Sequence, residues 1–105
     1  MSITTETPTL ESLRRKRSAI ARLARRHQAS NVRVFGSVAR GEAGPGSDYD
    51  LVVDLDPTLS GLAAFDHLDQ LERGLRELLG CHVHVVTARH DSAFTRRVNR
   101  DARPI

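Results

Sequence analysis

Residues 34–56, VFGSVARGEAGPGSDYDLVVDLD, constrain the fold more than any other stretch, because two β-patterned runs flank a segment holding four glycines and a proline. In the first run Val32 and Val34 alternate with Arg33 and Phe35, and Gly36 stops it. The second, Asp48 to Asp56, sets β-branched and aromatic residues between polar ends and closes at Pro57. Between them GEAGPGS, residues 41–47, satisfies every criterion of a loop. A period of two puts Asp48, Asp50 and Val52 on one face of the second strand and Tyr49, Leu51 and Val53 on the other. Two carboxylates therefore meet on one side of a strand mouth.

The rest of the chain supplies cover for these strands. From Leu10 the positions Leu10, Leu13, Ile20, Leu23, Ala24 and His27 fall on one helical face with arginines opposite, which predicts an amphipathic helix ending near Gln28 and started by Thr7-Pro8 or Thr9. Leu62, Phe65, Leu68, Leu71, Leu75, Leu78 and Leu79 predict a second helix with Gly80 as its C-cap. CHVHVVT, residues 81–87, predicts a third strand, and DSAFTRRVNRDA a last short helix capped by Asp91. The order helix, strand, strand, helix, strand, helix makes a small α/β (α+β) sheet covered on one side by helices. Residues 1–9 read as a flexible N-terminus and residues 10–105 as a single domain, since 105 residues with 39% hydrophobic content suit one modest core.

Composition narrows the function classes. Aromatics make up 4% of the chain, with no Trp, which argues against an extended stacking platform for single-stranded nucleic acid. The single cysteine, Cys81, excludes an internal disulfide and a thiolate zinc cluster, and it reads as a small buried residue beside the helix cap. No stretch has the pattern of a signal peptide or a membrane span, so a cytoplasmic protein without membrane contact is expected. The net charge of +3 conceals an asymmetry: residues 14–26 carry Arg14, Arg15, Lys16, Arg17, Arg22, Arg25 and Arg26 and no acid, whereas residues 48–77 carry eight acids against Arg73 and Arg76. A basic helix of this kind reads as a solvated face, or as a surface for nucleic acid or an acidic protein.

Gly36-Ser37, ten intervening residues and Asp48-x-Asp50 form one constellation, and with its surroundings the stretch reads GSxARGEAxxxSDxDLxV. This pattern resembles the signature of the nucleotidyltransferase superfamily related to DNA polymerase β, and in particular its smallest branch, the minimal nucleotidyltransferases. The similarity runs over residues 30–105. It implies a polymerase β-like nucleotidyltransferase fold, a nucleoside triphosphate such as ATP as substrate, and Mg²⁺ (or Mn²⁺) held by Asp48 and Asp50. In that branch the enzyme is often the antitoxin of a small HEPN ribonuclease toxin and adds AMP to a tyrosine of that partner. A chain of this length has little room for a separate substrate domain, which suits an enzyme whose substrate is its protein partner. The leucine-rich helix at 62–79 and the small core make a homodimer or hetero-complex the expected state.

Elementary chemistry supports the resemblance. Bringing an anionic triphosphate to an attacking oxygen needs positive charge, and paired carboxylates bearing a hard divalent cation supply it. Acids at i and i+2 on a strand point the same way and repel each other unless a cation joins them. Gly36 lets a phosphate approach the backbone, and Ser37 offers a hydroxyl and an N–H where the chain turns into a short helix near Val38. Arg40 lies one helical turn further, where it can face the same anion or brace the loop, and Ser47 ties the loop to the strand start. Without the Gly-Ser, the acid pair would read as a solvated strand entrance.

One position departs from the family. The superfamily sets a third carboxylate on a following strand, and here the matching stretch Val83-His84-Val85-Val86-Thr87 has His84 in its place. Neutral imidazole is a poorer partner for Mg²⁺ than a carboxylate and suits Mn²⁺ or Zn²⁺ better. His84 thus reads as a degraded ligand, as a general base for the attacking hydroxyl, or as a polar residue on a half-exposed strand. By strand parity His82 and His84 share a face, so a transition-metal site with Asp48 and Asp50 is an alternative. Asp54 and Asp56 read as strand-end and turn acids. Three functions follow: a transferase acting on a partner toxin, a nucleotide-binding antitoxin that blocks its partner by contact, and, less favoured, an RNA-end nucleotidyltransferase gripping phosphates with the arginine helix.

Overall fold

The computed structural model describes residues 7–88 and 92–105. Its strands are β1 (Ala29–Phe35), β2 (Tyr49–Leu55), β3 (Val83–Thr87) and β4 (Arg103–Pro104), in the spatial order β3-β2-β1-β4. β1 runs antiparallel to β2 and β4, while β2 and β3 are parallel and joined by a crossover through the long helix α4 (Gly61–Leu79). The other helices are α1 (Leu10–Arg15), α2 (Arg17–Arg26), the single-turn α3 (Gly36–Ala39) and α5 (Ala93–Asp101).

The core lies on one face of the sheet. Leu13, Ile20 and Ala24 from α1 and α2, Leu71 and Leu75 from α4, and Val34, Leu51, Val53, Val83 and Val85 from the strands form a single buried cluster. Thr9 starts α1 as expected, its hydroxyl accepting the Ser12 N–H at 3.0 Å. The predicted continuous helix to Gln28 is instead two helices. Lys16 leaves helical geometry (φ −105°, ψ 13°), its N–H turning back to Leu13 O, and its Nζ reaches across to the Leu78 carbonyl at 3.2 Å. The apolar period runs across this break because Leu13 and Ile20 both point at the core.

Three further expectations are corrected. The sheet is covered on both faces: Phe35, alternating with Val34, turns away from the core and meets Phe94 of α5, while Val52 and Val98 are buried outside the main cluster. Leu62 (88% exposed) and Phe65 (69%) belong to the leucine period of α4 yet stand in water, because burial on that helix starts only further along, fully at Leu71. Finally, β4 was unreadable in the sequence, a two-residue strand containing Pro104. Gly80 caps α4 as predicted, in the left-handed region at φ +67°, donating its N–H to Arg76 O at 2.9 Å. Ser92 caps α5, its Oγ accepting the Thr95 N–H at 3.1 Å; the predicted cap Asp91 lies outside the described residues, as does most of the predicted flexible N-terminus. Among the described residues no helix is long and apolar enough to cross a membrane.

Both outer strands are tied down by side chains. Glu72 of α4 accepts the Val85 N–H at 2.9 Å, and Arg76 donates to the Val83 carbonyl at 3.3 Å while pairing with Glu72 at 2.6 Å. At the opposite side Arg14 donates to the Pro104 carbonyl at 2.9 Å. Replacing Glu72 by Ala strands the Val85 N–H, and the expected result is a loss of about 1–3 kcal/mol in unfolding free energy. Urea titration checks it, through a lower midpoint at unchanged slope.

Candidate functional site

The two strands of the opening motif bring Gly36 and Asp50 together. Phe35 opposes Asp50 in the β1–β2 register, so Gly36, the next residue, lies against the Asp50 carboxylate. A Cβ on Gly36 would sit 2.6 Å from Asp50 Oδ2, and Gly36 adopts φ +74°, so both space and backbone exclude a larger residue. On the other side of β2, Asp50 pairs in register with His84 of β3. Asp50 is thus the hub: glycine backbone on one flank, imidazole on the other, and Asp48 one strand period before it.

The electrostatics of Asp50 express this position. Partial burial is the main influence and raises its carboxyl above the ordinary range; His84 lowers it, Asp48 raises it further, and Arg40 lowers it. The negative charge of Asp48 is thus felt at Asp50. Asp48 itself is exposed, immediately before β2.

The remaining expected residues divide. Ser37 sits half-buried in α3 directly after Gly36. Arg40 follows α3 and braces the loop: its Nε meets Glu42 at 3.0 Å and its Nη1 meets Asp101 of α5 at 2.9 Å, with both carboxylates helping to raise its pKa. Its positive charge nevertheless reaches Asp50. Ser47 closes the loop on itself, its Oγ accepting the Gly44 N–H at 2.9 Å. His84 is 67% exposed, and its Nδ1 lies 4.0 Å from Glu72 Oε2.

The four-residue transition-metal alternative is not assembled: among the described residues no three His, Cys, Asp or Glu side chains gather to hold an ion. In donor type, two carboxylates fit Mg²⁺, which is commonly held by one or two carboxylates together with substrate phosphates. Asp54 is occupied elsewhere, accepting from Arg33 at 2.7 Å and Asn31 at 2.9 Å, and Asp56 caps a turn by accepting the Thr58 N–H at 2.9 Å. Cys81 is half-buried, and burial, then Asp48, pushes its thiol up, with Lys16 opposing.

Three residues near the site escaped the sequence reading. Glu72 anchors β3 beside His84, Asp101 holds Arg40, and Phe94 packs against Phe35 on the Asp50 face. Only Glu72 left a signal, its i,i+4 spacing to Arg76.

Comparison with known proteins bears on this arrangement. The sequence model of the nucleotidyltransferase domain family matches residues 16–105. No curated protein sequence matches the chain significantly. Among solved structures, one provisionally described as a minimal nucleotidyltransferase is 39% identical, with a TM-score of 0.76, 93% of this chain and 97% of that one being covered. A toxin–antitoxin structure with AMP-PNP is 24% identical, with a TM-score of 0.66 over 83% of this chain and 69% of that one. A variant of the toxin–antitoxin pair MntA–HpeT, in which two aspartates two residues apart are changed to glutamate, is 21% identical, with a TM-score of 0.62 over 82% and 68%. These last two likenesses are of fold.

Proposed function

The chain belongs to the nucleotidyltransferase domain family, and from that we propose that it moves a nucleoside monophosphate, AMP foremost, from a nucleoside triphosphate to a hydroxyl, the acceptor being a tyrosine of a partner toxin of the HEPN ribonuclease type. The observation that carries the chemistry is the Gly36–Asp50 juxtaposition, in which a Cβ on Gly36 would fall 2.6 Å from the carboxylate. It supports a site built for a phosphate-bearing ligand beside a metal-binding acid.

Roles follow from the chain's own groups. Asp48 and Asp50 would hold a divalent cation, which would supply neutralisation of the triphosphate charge and polarisation of the phosphoryl group. Gly36 leaves its backbone open to phosphate oxygens, and Ser37 contributes its hydroxyl and N–H to the same anion. Ser47 and Arg40 keep the GEAGPGS loop in place beside it, Arg40 adding positive charge through space. His84, in register with Asp50 and exposed, is the base that takes the proton of the acceptor hydroxyl. Transfer then breaks the bond between the α-phosphorus and the bridging oxygen, and pyrophosphate leaves.

Likeness to toxin–antitoxin structures, one of them with AMP-PNP, supports a toxin as the partner and an adenine nucleotide as the donor. A cytoplasmic setting is consistent with that role. A second reading is favoured by His84 standing where a third acid would complete the ligand set: the chain binds nucleotide and silences the toxin by contact. Intact-mass measurement of the partner incubated with this protein, ATP and either Mg²⁺ or Mn²⁺ decides between them. The expected result is a mass increase in steps of one AMP. A stable complex with no added mass selects the contact mechanism instead.

A further inference from the structure

The charged half of the site accounts for a triphosphate and leaves the nucleobase without a partner. We propose that Phe94, supported by Phe35, is the seat of that base, an apolar subsite on the same sheet face as the acid pair; the proposal rests on the nucleotidyltransferase reading above and specifies where the uncharged end of the substrate binds.

The geometry follows from the β1–β2 register. Residues directly opposite in an antiparallel pair project from the same face with Cβ atoms about 5 Å apart, which sets the Phe35 ring beside the Asp50 carboxylate. The Phe94 ring meets Phe35 edge to face, with centroids 6.5 Å apart and planes at 85°. Phe94 therefore adjoins Phe35, the residue opposite Asp50, within reach of a nucleotide whose phosphates are held at the acids. An edge-to-face pair buries one ring edge against one ring face and leaves other π-surface available, and Phe94 is 51% exposed.

That exposure is not the fraying of a loose helix. Ser92 caps the start of α5, Val98 buries its middle, and the Arg40–Asp101 ion pair fastens its end to the loop that follows Gly36. The aromatic surface is consequently fixed relative to the phosphate-binding turn. An exposed ring held in an aromatic pair suits flat heteroaromatic ligands, through stacking that tolerates any base.

Calorimetric titration with ATP and with inorganic tripolyphosphate, each with Mg²⁺, separates the two halves of the site. In Phe94→Ala the affinity for ATP is expected to fall about ten- to a hundredfold, the cost of one lost stacking contact, while tripolyphosphate binds as in the unaltered protein. Phe94→Trp is expected to retain ATP affinity. As the chain has no other tryptophan, its fluorescence then reports directly, quenched by ATP and unmoved by tripolyphosphate. Unchanged ATP affinity in Phe94→Ala overturns the proposal. If that variant keeps its ATP affinity and loses only transfer to the partner, the aromatic pair seats the acceptor ring, which also overturns it. Failure of the unaltered protein to bind either ligand removes the nucleotidyltransferase reading, and this subsite with it.

Discussion

Asp50→Asn is expected to reduce metal-dependent nucleotide transfer at least about a thousandfold, and Asp48→Asn to do the same. Charge stabilisation by a bound cation is worth several kcal/mol at the reacting phosphoryl group, and each 1.36 kcal/mol is a factor of ten in rate. Retention of transfer in either variant would remove the acid pair from the mechanism. The Asp50 variant carries a second signature, in stability. Burial first, and Asp48 after it, raise the Asp50 carboxyl above its unfolded value. The fold therefore disfavours the ionised form. The penalty is absent below the unfolded pKa, grows as pH rises toward the folded-state pKa, and is present in full above it. At neutral pH and without divalent metal, Asp50→Asn should match or exceed the unaltered protein in thermal midpoint, and Mg²⁺ should raise the midpoint of the unaltered protein alone. A variant that lost activity because it unfolded would do neither.

Gly36→Ala is the second large effect and differs in kind, since it strikes fold and site together. At φ +74° an L-residue costs about 1–2 kcal/mol, and the added Cβ would lie 2.6 Å from Asp50 Oδ2. Carboxylate or backbone must move. In a domain of this size each kcal/mol lowers the midpoint by about 4–8 °C, so the expected drop is easily measured. The discriminating comparison is with Gly44→Ala, where the added Cβ meets nothing within 4 Å and φ is unremarkable. Gly44→Ala should leave both stability and transfer close to normal. Equal tolerance at both glycines would show that Gly36 is not pressed against the acid.

Much of this was legible in the chain. A period of two through DYDLVVDLD placed Asp50 on the face opposite Leu51 and Val53, and the structure keeps that division, with Asp48 just before the strand. Gly80 announced its cap through residue type alone, and Thr9 was one of two starts that residue type offered. What failed to show was whatever depends on distant partners. The helix break at Lys16 follows from packing on both sides of it, since the apolar spacing is the same with or without it. Leu62 and Phe65 obey the helical period but extend past the surface the period implies. Arg40 faced two possible uses one turn beyond Ser37, and only the approach of Asp101, sixty-one residues later, assigns its guanidinium to bracing. The strand at Arg103–Pro104 has neither length nor period, and exists because β1 lies beside it.

The bonds that α4 and α1 make to the outermost strands have a consequence for assembly. A sheet normally ends in a row of open donors and acceptors, a template on which another chain can lay a strand. Here Glu72 and Arg76 occupy the free side of β3 as a strand would, and β4 ends in a proline that has no N–H and whose carbonyl Arg14 already engages. At each edge, then, backbone groups on which a further strand could pair are already taken by the protein's own side chains: the Val85 N–H and Val83 carbonyl on β3, and the Pro104 carbonyl on β4. A macromolecule laying a strand against β3 would have to displace Glu72 and Arg76 first, which makes that edge a poorer template than a bare one.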